Sequence, residues 1–151
     1  MVSIAKAKQD AIAAIAEARN RIDGLIAAAS VSLTAQQADH LRRSAHRTSA
    51  AFEQLLRSMT NNHVLDGGMA STAEYEFPHM EPEVATSFVR GVDAVIADLE
   101  HNVLERMERA NLEPNDLKRL KRELGEVWGW IVCDLQHPIW LKYPELAPRD
   151  D

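Results

Sequence analysis

The sequence predicts an all-α protein: a four-helix bundle with a long acidic loop between helices 2 and 3 and an aromatic C-terminal segment packed on the bundle. Three observations predict it. Apolar residues recur at spacings of three and four through four separate stretches, which puts them on one face of a helix. β-branched residues nowhere alternate with polar ones over a strand length. The 6 glycines and 6 prolines lie mainly at the ends of the patterned stretches, where such residues punctuate a chain. A length of 151 residues suits a single domain, 1–151, large enough to bury a real core.

Residues 3–29 read as the first helix. Ile4, Ala11, Ala18 and Leu25 repeat at seven, Ile15, Ile22 and Ala29 form the adjoining row, and Ile12 and Ile26 widen the stripe. Heptad spacing suits near-antiparallel packing, and the alanines admit a close neighbour. The opposite face is mixed in sign (Lys8, Asp10, Glu17, Arg19, Asp23), which argues against a membrane-surface helix.

After a turn at 30–33, Thr34 and Gln37 match the capping box, in which each side chain satisfies the other's orphan N–H. Leu33 is placed to staple onto Ala38. The second helix then runs to about Met59, with Ala38, Leu41, Ala45, Thr48, Phe52, Leu55 and Met59 as its seam. So short a connection predicts an antiparallel hairpin with the first helix. Arg42, Arg43, Arg47 and Arg57 make this helix basic.

Residues 60–81 form the long loop. Asp66, Glu74, Glu76, Glu81 and Glu83 fall between Thr60 and Glu83 without a Lys or Arg. We read the stretch as a crossover along the bundle, pinned by Val64, Leu65, Tyr75 and Phe77. Glu81-Pro82-Glu83 starts the third helix, since Pro and acids both suit a first turn. Its buried face is Phe88, Val92, Val95, Ile96, Leu99, Val103 and Met107, and it ends near Ala110. Residues 111–116 link it tightly to the fourth.

The fourth helix carries Leu117, Leu120, Leu124, Val127, Trp128, Ile131 and Leu135 on one face. Trp130 falls nearly opposite, beside Glu126, Cys133, Asp134 and His137. A tryptophan on a polar face is expensive to leave wet. Pro138 is expected to end the helix, so that the tail 139–146 folds back and lays Trp140 or Leu141 against Trp130. The alternative cover is a second protein chain, because Trp and Tyr are enriched at interface anchors. Gly125 and Gly129, one turn apart, each cost about 1 kcal/mol relative to Ala in a helix; close approach of another backbone or ring would explain them. Pro148 to Asp151 are expected to fray.

A net charge of −6 argues against a general nucleic-acid binder, which usually shows a basic footprint. One cysteine makes no internal disulfide and points to a reducing compartment. The first six residues lack the basic start and apolar run of a signal peptide, and no apolar run is long enough to span a bilayer. These features predict a cytoplasmic protein without membrane contact.

Little chemistry is written in the chain. Di-metal carboxylate bundles place Glu-x-x-His on two helices, and the predicted helices carry none. Cys133 and His137 lie one turn apart, but two ligands do not make a metal site. No cofactor and no metal are therefore expected. The run 118–122 is basic, yet Leu120 is a core position and Glu123 and Glu126 follow at once, as on a solvated helix face. Arg57 and His63 have the spacing of the R-x(4–6)-H motif and so resemble, in these two residues, the HEPN ribonucleases, which are also helical bundles. That resemblance implies an alternative, metal-independent RNA cleavage in which Arg57 stabilises phosphate and His63 transfers a proton. Asn61-Asn62 departs from it, because the motif belongs in continuous helix.

The reading that follows is a non-enzymatic helical interaction module that regulates or inhibits a partner protein by surface binding, with a homodimer as one form of it. Trp130, Asp134, His137, Trp140 and Tyr143 are the expected anchor patch. Asp66, Glu74 and Glu76 are expected to complement a basic partner, which mainly raises association rate.

Overall fold

A computed structural model describes residues 4–61 and 77–148. Among them every regular element is helical and none is a strand. The helices are α1 (Ile4–Ser30), α2 (Ala35–Ser44), α3 (His46–Asn61), α4 (Pro82–Asp98), α5 (Leu104–Arg109), α6 (Pro114–Ile131) and α7 (His137–Lys142). No helix is long and apolar enough to cross a membrane among the described residues.

Several breaks are slight. α2 and α3 are separated only by Ala45, at φ −87°, ψ 0°. The hydroxyl of Ser44 donates to the carbonyl of His40 at 2.9 Å, a back-bond that tends to bend a helix. This divides the continuous second helix expected from the sequence. A π-turn, Leu99–Val103, joins α4 to α5, and another, Val132–Gln136, joins α6 to α7. Asn111, at φ 55°, turns the chain from α5 into α6; Asn tolerates the left-handed region better than most residues.

The capping box at α2 forms as the sequence predicts. The Gln37 N–H donates to Thr34 Oγ1 at 3.1 Å, and the Thr34 N–H reaches Gln37 Oε1 at 3.5 Å. The predicted seam of the second helix is buried throughout, from Ala38 to Met59. α1 buries Ala11, Ala14, Ile15, Ala18, Ile22, Ile26 and Ala29. The third seam is also inside, apart from a half-buried Ile96.

Neighbouring helices run antiparallel. α3 meets α6 through Arg47–Asp134 and Ser58–Glu123, so numbers rise on one as they fall on the other. Lys121–Glu108 and Gln136–Asp93 give the same sense to the 82–109 and 114–136 segments. α1 packs on α3, α4 and α5, with Arg19 donating to Glu53 at 3.0 Å. Gly91 lets α1 and α4 approach, because a Cβ there would overlap the Leu25 side chain. Among the described residues the core therefore lies between helical segments that each touch at least two others.

Phe77 lies beside Gln37 and His40, more than twenty residues before the end of α3.

Pro138 does not end the helix, contrary to expectation. It falls in the first turn of α7, where a missing N–H is harmless. The preceding π-turn lets the His137 N–H bond the Val132 carbonyl, and the chain continues to Lys142.

Two outcomes test this packing by urea unfolding. Thr34→Ala should cost about 1 kcal/mol through loss of the cap. Phe52→Ala, at a fully buried position, should cost about 3–5 kcal/mol.

Candidate functional site

The polar residues of α6 and its π-turn, rather than its tryptophans, decide how the helix sits. Asp134 is 3 % exposed. Its carboxylate accepts from Arg47 Nε at 2.9 Å, and from Arg47 Nη2 in a second contact that completes a fork. The guanidinium also lies 4.1 Å from the centroid of the Trp130 ring, within cation–π range. Thus Asp134, Arg47 and Trp130 form one stack across α3 and α6.

About three turns away, Glu123 is buried and its Oε1 accepts from the Ser58 hydroxyl at 3.0 Å. Gln136 is 1 % exposed and donates to Asp93 at 2.6 Å. Glu123, Asp134 and Gln136 therefore belong to the buried side, and the inward arc of α6 is turned toward them. That rotation corrects two expectations. Trp128, placed in the seam by periodicity, is 45 % exposed. Trp130 is half-buried beneath Arg47 and packs against the core, so the cover it required comes from α3.

The expected anchor patch is dispersed. Asp134 faces inward. His137 is exposed, and Trp140 is half-buried with an Nε1 that has no hydrogen-bond partner. Tyr143 is half-buried, and its hydroxyl donates to the Met80 carbonyl at 2.7 Å. Leu141 is 72 % exposed and covers nothing. The aromatic tail does pack on the helices, through Ile139, Tyr143 and Leu146, but it pins the strap 77–81 instead of Trp130.

Arg57 is about half exposed and lies 3.8 Å from Glu53 on its own helix. His63 is outside the described residues, as are Asp66, Glu74 and Glu76. Cys133 is exposed. Among the described residues no group of three or more His, Cys, Asp or Glu is arranged to hold a metal.

Comparison with family models, curated protein sequences and solved structures gave no match. The surface itself must therefore carry any functional reading. Its distinctive part is the outer side of α6. A Cβ built on Gly125 or on Gly129 meets nothing within 4 Å, so no contact within the described residues requires either glycine. Trp128 stands beside them. The sequence holds the signal, two glycines spaced by a turn, but periodicity alone assigned the neighbouring tryptophan to the core.

The stack is tested by a double-mutant cycle. Arg47→Met should destabilise by about 3–5 kcal/mol, because it leaves a buried carboxylate unpaired. Arg47→Met with Asp134→Leu should recover most of that loss. Equal and additive losses in thermal unfolding would show that the pair is not coupled.

Proposed function

We propose that this chain is a non-enzymatic interaction module, a cytoplasmic four-helix bundle that regulates or inhibits a partner protein by occupying its surface. The contact face is the outer side of α6. One observation carries the reading: a half-exposed tryptophan, Trp128, adjoins two glycines with open space above them. Glycine costs about 1 kcal/mol against alanine within a helix, and an exposed tryptophan is an uneconomical surface residue. Both make sense where another backbone comes close and a ring is buried on contact.

Trp128 thereby takes the anchoring role that the sequence suggested for Trp130. Lys118, Lys121 and Arg122 are exposed on the same helix, which suits an acidic surface at that end. The acidic stretch with Asp66, Glu74 and Glu76 suits a basic region of the partner and raises the association rate. A second copy of the chain, meeting the same face about a two-fold axis, is the simplest partner.

Glycine substitution separates folding from contact. Gly125→Ala and Gly129→Ala should each raise stability by about 1 kcal/mol, since the added methyl meets open space. Gly129→Leu and Trp128→Ala should keep the fold and abolish association. Light scattering reads self-association, and stoichiometric co-purification from the source cell reads a different partner. Association undiminished in both Gly129→Leu and Trp128→Ala removes the α6 face from the interface.

A further inference from the structure

The strap 77–81 and α7 enclose, with the first turns of α2, a cleft of about 360 Å³. That volume suits a small organic ligand. The geometry points to a binding site there for a small phosphate monoester, its phosphate held by Lys142 and His40, with His79 positioning the ammonium, and its apolar group seated on Phe77.

The lining chemistry selects the charge. Lys142, His79 and His40 all face the cleft, and Gln36 and Gln37 add side-chain amides. Among the described residues no carboxylate lines it. The Lys142 ammonium donates to His79 Nδ1, so its partner here is an imidazole and not a carboxylate. Glu81 lies 3.6 Å from His79 Nε2 and does not line the cleft. The ammonium, the His40 imidazole and the side-chain amides of Gln36 and Gln37 offer several donors to several oxygens of one group. Phosphate accepts such charge-assisted bonds from more than one direction.

The rest of the wall selects the remainder of the ligand. Phe77 is half-buried, and Pro78 and Pro138 flank it with rigid apolar rings. A bare anion would leave these surfaces wet, whereas an ester with a small ring or alkyl group would cover them. The walls are held in place before any ligand arrives. Tyr143 clips the strap to α7 through the Met80 carbonyl, and Phe77 packs against the core. Preorganisation of this kind reduces the ordering cost of binding. The cleft shares no residue with the outer face of α6, so this site and the proposed protein contact stand or fall separately.

Phenyl phosphate is the probe, followed by calorimetry and by the imidazole resonances of His40 and His79. Saturable binding is expected, with both imidazoles shifting, and inorganic phosphate should bind about tenfold more weakly for lack of the ring. Lys142→Ala should weaken both probes about tenfold or more, while Lys142→Arg should retain them. Lys142 is exposed, so neither variant should alter thermal unfolding by much. Phe77→Ala should remove the advantage of phenyl phosphate over phosphate and leave phosphate binding in place. The site is excluded if phenyl phosphate gives no saturable shift, if Lys142→Ala binds as well as the parent, or if sodium chloride at equal ionic strength reproduces the shifts.

Discussion

The forked contact between Arg47 and Asp134 governs the arrangement of the C-terminal half. A carboxylate removed from water costs several kcal/mol unless a cation and good hydrogen bonds meet it. Asp134 is therefore tolerated only at the point where α3 presents Arg47. Ser58 and Glu123 form a second polar link at the same spacing on both helices, about three turns away, although there a hydroxyl replaces the cation and Glu123 Oε2 is left without a hydrogen-bond partner. Two polar cross-links on one line determine both the register of α6 along α3 and its rotation about its own axis. Apolar contacts are less selective, since they tolerate modest sliding and rotation.

That rotation decides what the molecule shows to solvent. Bringing Glu123, Asp134 and Gln136 inside moves Trp128 out and leaves Gly125 and Gly129 uncovered. It also places Trp130 under a guanidinium, where the ring is partly desolvated and electrostatically matched. Farther along, the same segment brings Tyr143 and Lys142 against the strap before α4. The exposed side of α6 and the cleft beside the strap are thus two results of one buried polar arrangement.

Much of the helical architecture was legible in the sequence, for a simple reason. Where the buried face is wholly apolar, or broken only by Thr48, hydrophobic periodicity locates it: Ala38 to Met59 and Phe88 to Met107 lie where their spacing puts them. The capping box was legible because its two side chains are three residues apart. α6 was misread because periodicity scores a carboxylate as outward-facing, whereas Asp134 has its partner 87 residues earlier. No local pattern announces such a partner. Pro138 was misread because a π-turn has no spacing signature of its own. A pocket between the bundle and the aromatic tail can be suspected from the sequence, but its lining cannot be named, because the walls come from three stretches joined only by the fold; His63, Asp66, Glu74 and Glu76 lie outside the described residues.

The π-turn at Val132–Gln136 amounts to one residue more than a regular helix would hold. It acts as a phase shifter between two parts of the same rod. Upstream, the phase is set by Glu123 and Asp134 against α3; downstream, by Ile139 in the core and Tyr143 on the strap. Winding these same residues as an unbroken α-helix would turn everything after them by about 100°. Ile139 would leave the core, and Tyr143 would point away from Met80. Loss of one residue from this stretch would instead restore a regular helix with Ile139 and Tyr143 still in phase, so the turn is a place where a one-residue gap leaves the cleft intact.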